Sequence, residues 1–484
     1  MSDAKPTRLP LIATPENRDL TDARDARLIN GYMEKGLSDE TWCYKRPGLS
    51  VGYTPAGATA LNGMGCTTWN DIVYSVFGAG GTVNFYGGAT LIGAVVLIGN
   101  VSFTSCLGVL GAAPVLFFHD AHKAYVYSTG GGLIAVTDVD FPPILDSRIN
   151  LVPGAVYIDG TTYVMSTDAY IYGSDLAAPL SWNPLNLIRA EIDGDLGVAI
   201  AKQQNYLVAF KTFSVEIFYD AQNAAGSPLG RMEAAKMSVG CASGETVKSI
   251  DGMLFWMSRS KQGGFGVYVM EGLKGRQIST APVDRLLQLV DTATPGECWG
   301  YCFRAFGHRF YGLRLGSVFI GGTDRRSLIY DIDEKLWYEW QDADGTDWNV
   351  YDSTSNKYSY LQSYTTGVIW ALAATFSYDL LPSGAVNFTF DLYTPNFDAG
   401  TRVKKTCNLV TIAADQVTGS VLQCRYSDDD YQTWSNFRSF DLGLERPLLS
   451  EWGTFRRRAH HLRVTDNKAL RLQAVDLHLD LGTL

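Results

Sequence analysis

Apolar residues along this chain come in pairs of short runs, and the pairs recur at a spacing of roughly 45 residues, the mark of a repeat architecture. The pairs centre near Tyr74, Phe117, Tyr163, Val208, Leu254, Phe310 and Tyr360. Each joins an aromatic-rich run to a second one, such as Val126-Tyr127, Ile171-Tyr172 or Ile217-Phe218-Tyr219, with turn residues between them. Short apolar runs bounded by turn residues predict strands. Units of this size, each a four-stranded blade set around an axis, predict an all-β propeller. Seven pairs are visible, and the last is either completed by N-terminal residues or part of the C-terminal region, so the pattern allows six or seven blades.

The flanks differ in style. Residues 1–50 are polar, contain Pro6, Pro10, Pro15 and Pro47, and hold one short apolar stretch at Leu28-Ile29, which predicts an extended arm that closes the propeller or clasps a neighbour. Strand signals run from 72 to 370, broken by loops such as 221–230. One short helix is predicted over 282–290, with Pro282 near its start and Val283, Leu286, Leu287 and Val290 at helical spacing. Beyond about residue 380, longer alternating runs at 386–393, 421–426, 461–464 and 470–479 predict a C-terminal β-sandwich-like domain. The expected organisation is an arm over 1–50, a propeller over 51–379 and a sandwich-like domain over 380–484. The imperfect alternation of 470–479 fits a strand partly buried on both faces.

Composition supports many short strands and tight turns: 484 residues, 46% of them hydrophobic, with 49 glycines and 26 tyrosines, and only 19% charged. A formal charge of −10 argues against a protein that holds nucleic acid by its phosphates. It leaves room for an acidic wall along which DNA slides without being held. The eight cysteines are scattered, which predicts free buried thiols; Cys298 and Cys302 would share one face of a strand, with no second close pair to complete a zinc site. No apolar core follows Met1-Ser2-Asp3-Ala4-Lys5-Pro6, so no secretory signal is expected there. The longest apolar run, 91–98, is broken by Gly93 and falls far short of the roughly 20 residues that span a bilayer, so it reads as a buried strand.

Few constellations suggest chemistry. The stretch Ser427-Asp428-Asp429-Asp430-Tyr431-Gln432-Thr433-Trp434 resembles the Asp-box of sialidase-type propellers, with Tyr431 where that motif has glycine. In such a turn the Asp carboxylate accepts N–H groups and the Trp packs beneath, so Ser427, Asp429, Thr433 and Trp434 are expected to be structural. Asp342, Asp344 and Asp347 are grouped oxygen ligands that invite a calcium reading, as do Glu191, Asp193 and Asp195, but neither stretch has the loop order or closing glutamate of a calcium loop. Asp-Gly pairs make hairpin turns without an ion. His119 and His122 flank a turn and are expected to face solvent. The dense basic stretch Arg456-Arg457-Arg458, followed by His460-His461 and Arg463, reads first as ion pairing with the acidic remainder, and second as a contact for a protein partner or DNA phosphate. No phosphate-binding glycine loop, nucleophile elbow or zinc-protease helix occurs, so no catalytic, cofactor or metal residues are expected.

Several stretches together resemble the packaged-DNA stabilisation proteins of short-tailed bacteriophages, the tail hub or nozzle family. They begin with Arg27-Leu28-Ile29-Asn30-Gly31-Tyr32-Met33-Glu34 and Pro47-Gly48-Leu49, where Met33 replaces the family's usual proline. They continue through Ser214-Val215-Glu216-Ile217-Phe218, Gly240-Cys241-Ala242, Leu254-Phe255-Trp256, Gly264-Phe265-Gly266-Val267-Tyr268 and Gln277-Ile278-Ser279-Thr280-Ala281. Arg309-Phe310-Tyr311 and Tyr330-Asp331 followed by Trp337 complete the series. The resemblance implies a non-enzymatic virion tail protein, assembled in the host cytoplasm as a homo-oligomeric ring, a hexamer in the family's manner. It further implies a place below the portal on a head-to-tail adaptor ring, beside the tailspikes, with a tail needle or tip protein closing the exit. Packaged DNA would be retained by that ring and leave through it during genome ejection without sequence-specific binding. The rival reading is a host-surface tail protein that binds or cleaves glycans in the manner of a sialidase.

Overall fold

The computed structural model describes residues 6–11, 26–36, 41–79, 81–108, 113–223, 225–290, 297–316, 326–345, 347–373 and 376–482. Met1-Ser2-Asp3-Ala4-Lys5 and Pro15, which figure in the readings of the N-terminus, lie outside these residues.

Each of the seven aromatic runs becomes the second strand of an antiparallel blade. These strands are Ile72–Ala79, Pro114–His119, Thr161–Met165, Tyr206–Lys211, Met253–Arg259, His308–Leu315 and Ser359–Ser363. They are mostly apolar because a middle strand packs against blades on either face; Thr161–Met165 and Ser359–Ser363 are buried at every position, the latter including the polar Ser359, Gln362 and Ser363. The propeller has seven blades. Its seventh takes three strands from Val350–Ser355, Ser359–Ser363 and Ile369–Ala373, and its outer strand, Gly48–Tyr53, from the front of the chain. That pairing resolves the choice between six and seven blades, because the N-terminal residues close the ring. The helix forms at Ala281–Leu287, burying Val283, Leu286 and Leu287.

Where an extended arm is expected, the described residues are mostly strands. Arg27–Ile29 runs parallel to the outer strand of the sixth blade, Leu336–Glu339, and antiparallel to Phe390–Tyr393. One nine-stranded sheet therefore passes from the sixth blade into the C-terminal region, ending on Ala459–Val464, Val421–Ser427 and Arg438–Asp441. Gly31–Lys35 and Thr41–Lys45 join a second sheet with Arg471–Leu481, Lys405–Ala414 and Leu448–Phe455, while Thr7–Arg8 pairs with Arg471–Leu481. The cause lies in residues too widely spaced to register as an apolar run: Leu28, Tyr32, Met33 and Cys43 are all buried. One apolar core runs from these residues through Trp299, Tyr301 and Trp348 into Val410, Leu462 and Leu477.

The run 91–98 is not a buried strand. Thr90–Val95 is the outermost strand of the first blade, with one face on the blade beside it, so Val95 and Leu97 are buried while Leu91, Val96 and Ile98 are exposed. Among the described residues no helix is long and apolar enough to cross a membrane. All eight cysteines are free; seven are buried and Cys302 is half-buried.

Candidate functional site at the propeller axis and the sandwich ends

All seven blades contribute residues, from their inner strands or the segments beside them, to one cavity of about 530 Å3. Its polar lining includes Thr67, Ser102, Lys202, Glu245, Lys248 and Asp352. The charges are tied to one another across the axis. Lys248 Nζ donates to Asp352 Oδ1 at 2.7 Å, and the second Asp352 oxygen accepts the Cys66 N–H at 3.1 Å. Burial works to lower the Lys248 ammonium, but Asp352 and Glu245 outweigh it and hold its pKa above the ordinary value. Burial raises the Glu245 carboxyl more than Lys248 lowers it, and Tyr351 OH donates to that carboxyl at 3.3 Å. At the rim Arg304 pairs with Asp251, which also receives Arg309. A cavity of this size lies in the range of small-molecule clefts. It is too small for a duplex whose major groove alone is about 12 Å wide.

The Asp-box-like stretch forms a closed turn. Asp429 accepts the N–H and hydroxyl of Thr433 and the hydroxyl of Ser427, and those hydrogen bonds hold its carboxyl down at about 2. The ring beneath the turn is Tyr431, buried, with a left-handed φ of 66° and its hydroxyl donating to Thr394 O at 2.7 Å. Trp434 is half-buried instead, edge-on to Tyr393 and His461.

Arg456-Arg457-Arg458 is the turn between Leu448–Phe455 and Ala459–Val464 and not part of a strand. Arg458 is removed from any surface contact: it is buried, grips both oxygens of Asp428 at 2.6 and 2.7 Å, and stacks on Tyr426. Arg456 and Arg457 are exposed; Arg456 donates to Arg402 O and Arg457 lies 3.4 Å from Asp430. His460 and His461 carry no surface charge either, since both are buried, and burial lowers them to about 3 and about 4. His461 accepts from Arg425 Nε at 2.9 Å and lies 2.6 Å from Asp391 through its other nitrogen.

These two histidines make the sandwich acid-labile. An unfolded histidine titrates near 6.5, so below that pH the unfolded chain takes up protons that the folded one refuses. Stability is intact above about pH 6.5 and falls as pH drops toward the folded values, by on the order of 2 kcal/mol for each ring at pH 4.5. His308 works in the opposite sense: burial lowers its pKa, but Asp331 outweighs burial and raises it, so its contribution is present below 6.5 and is lost as pH rises through the folded value. Urea unfolding of the wild type and of His460→Phe at pH 7 and 4.5 checks this. The drop should shrink in the variant, and an equal drop in both would refute the assignment.

Other expected sites are engaged differently. His119 is buried and does not face solvent, with Nδ1 and Nε2 lying 2.7 and 2.9 Å from Asp120 O and Gly154 O; Asp120 is buried too and caps the turn through the N–H groups of His122 and Lys123. The second calcium reading fails on its partners: Asp195 binds Lys211 at 3.0 Å and Asp193 binds Lys236 at 2.9 Å, so lysines hold the places of an ion. Of the first group, Asp347 pairs with Arg314, while Asp342 and Asp344 line a separate pocket. His308, Asp331 and Asp333 lie close enough to share a metal, yet Arg309 already grips Asp333, and Asp331 Oδ1 accepts the N–H groups of Asp333 and Glu334. Cys298 accepts the Gly316 N–H, while Cys302 lines the axial cavity.

Lys248, Asp352, Lys211 and Arg46 do not stand out in the sequence. The signal available for Lys211 is a lone charge at the end of an apolar run, Tyr206-Leu207-Val208-Ala209-Phe210-Lys211, whereas Arg46 stands next to Lys45.

Residues 17–339 match the family model described as "Bacteriophage P22 Gp10, beta-propeller". No curated protein is matched. Among solved structures, BamB from Moraxella catarrhalis is 10% identical, with 68% of this chain and 91% of that chain covered at a TM-score of 0.34. The β-propeller domain of Cps50 (Swd1) from Myceliophteria thermophila is 11% identical, with 65% and 100% covered at 0.37. The computationally designed Ika8 protein is 12% identical, with 67% and 99% covered at 0.36.

Proposed function

This chain belongs to the phage stabilisation family represented by P22 Gp10, a family of structural phage proteins, and from that premise we propose that it is the tail hub, or nozzle, of a short-tailed phage. Copies form a ring below the head-to-tail adaptor, retain packaged DNA, and become the wall of its exit during ejection. A needle or tip protein seals the ring and tailspikes flank it.

The observation that carries this reading is the state of the propeller axis. Its cavity of about 530 Å3 is too small for a duplex and has charges in its lining already paired, Lys248 with Asp352, so on this reading the genome runs past each propeller through the centre of the ring, and the blades serve as wall. Glu245 and Asp352 are engaged by Tyr351, Lys248 and backbone N–H groups, which suits a structural role better than that of a paired acid and nucleophile.

The full-length chain is expected to bind purified adaptor ring and to leave host cells and their surface polysaccharide untouched. Adsorption to whole cells, or release of sugar fragments, together with no binding to the adaptor, would replace the hub reading with that of a host-surface protein.

A further inference from the structure

The two ends of the sandwich carry opposite chemistry. One end is a basic tip: Arg402, Lys404, Arg456 and Arg457 are all exposed on two adjoining turns and outnumber the carboxylates beside them, Asp398 and Asp430. The buried Lys405 ammonium fixes those turns, donating to Thr401 O at 2.6 Å, Val403 O at 2.8 Å and Arg456 O at 2.9 Å. Burial lowers the Lys405 pKa, Asp398 raises it and Arg456 lowers it again, with burial prevailing. A preset cluster of cations on a chain of net charge −10 fits an anionic counterpart.

The other end holds that counterpart. A pocket of about 400 Å3 lies between the seventh blade, the loop after the sixth, and the hairpin Asp379–Leu381/Gly384–Val386. Leu49, Trp370, Leu381 and Val386 give it apolar walls, and Asp342 and Asp344 give it acidic groups. Apolar walls with carboxylates suit the stem and head of an arginine or lysine. Burial raises the Asp342 carboxyl to about 7 despite Arg46, the state of an acid short of a close cation. Asp379 is not available for that task, since both its oxygens hold Arg46.

The tip cannot reach its own pocket. It sits where Lys405 pairs with Leu481, whereas the pocket adjoins the far end of the same sheet, where Ala414 meets Leu472, Leu472 meets Cys43, and Arg46 holds Asp379. The strand Lys405–Ala414 between them is ten residues long, about 33 Å at roughly 3.3 Å per residue. Two complementary patches at opposite ends of the sandwich can make a head-to-tail contact, the kind that closes into a ring when the rotation permits.

We propose that the Arg456-Arg457 turn of one copy seats in the Asp342/Asp344 pocket of the next, forming the contact that closes the ring. This rests on the hub reading above. The test uses assembled particles carrying Asp344→Cys together with Arg457→Cys, both at exposed positions. Mild oxidation should give a ladder of disulfide-linked copies, absent from either single variant and from the wild type, whose own thiols are buried or half-buried. Arg456→Glu with Arg457→Glu should cut incorporation into particles by about tenfold or more. If neither happens while an amine-reactive cross-linker still joins copies in the same particles, the ring exists and this contact is wrong. If that cross-linker joins no copies, the hub reading itself fails and takes this contact with it.

Discussion

Replacing Arg46 by alanine should cost about 3–5 kcal/mol, the most damaging single change we foresee outside the apolar core. Its guanidinium is fully buried and makes five hydrogen bonds: to both oxygens of Asp379 at 3.0 and 2.8 Å, to Asn30 Oδ1, to Pro47 O and to Gln341 O. It also stacks 3.6 Å over Phe388. These partners belong to the N-terminal residues, the loop after the sixth blade, and the hairpin leading into the sandwich. Removal leaves Asp379 buried with the Leu49 N–H as a remaining donor. Because Pro47 directly precedes, and Leu49 lies in, the strand Gly48–Tyr53 that closes the seventh blade, the loss should appear as an earlier urea midpoint and as protease sensitivity before residue 50. Arg46→Lys should recover little, since an ammonium cannot reproduce the two-pronged grip. Arg46→Met with Asp379→Leu should recover part of the loss, because no unpaired charge stays buried. An Arg46→Ala midpoint equal to the wild type would contradict the assignment.

Lys211→Met should cost a similar amount, about 3–5 kcal/mol at pH 7, for a related reason. Lys211 Nζ lies within the fourth blade, unexposed, 3.0 Å from Asp195 and 2.8 Å from Glu216, and it donates to Ala190 O and Asp193 O. Without it two carboxylates share a buried site with Arg231 the nearer remaining cation, 3.2 Å from Glu216. Their protonated forms are then favoured, because protonation removes buried negative charge that has lost its cation. The deficit of the variant should therefore narrow as pH falls from 7 toward 4.5. Urea titrations at both pH values read it, and a deficit that stays constant would show that packing, not charge, supplies the loss.

The blades were legible in the sequence for a physical reason. The middle two strands of each blade pack on neighbours at both faces and so are mostly apolar, as in Met253–Arg259 and Phe265–Glu271, and these are the paired runs that recur. Inner strands line a polar cavity and outer strands meet solvent on one face, so neither leaves a continuous apolar run. The N-terminal strands read as an arm because Met33 and Cys43 find partners in Tyr338 and Leu472, more than 300 residues away, and Tyr32 packs on Phe306 and Phe310, separations that local patterning does not register. The Asp-box-like turn was visible through Ser427, Asp429 and Thr433, but the inward ring is Tyr431, at the position that departs from the motif. Ion pairing was the first reading of the basic run that holds Arg458, but nothing in its neighbours in sequence announced Asp428 as the partner or the burial of the guanidinium.

The most direct test of the hub assignment is DNA retention by particles assembled with and without this chain, read as the fraction of packaged genome that resists nuclease over time. Particles lacking it should fill and then lose their DNA, and purified full-length chain added before the loss should restore retention. Filled heads that keep their DNA without this chain would contradict the assignment.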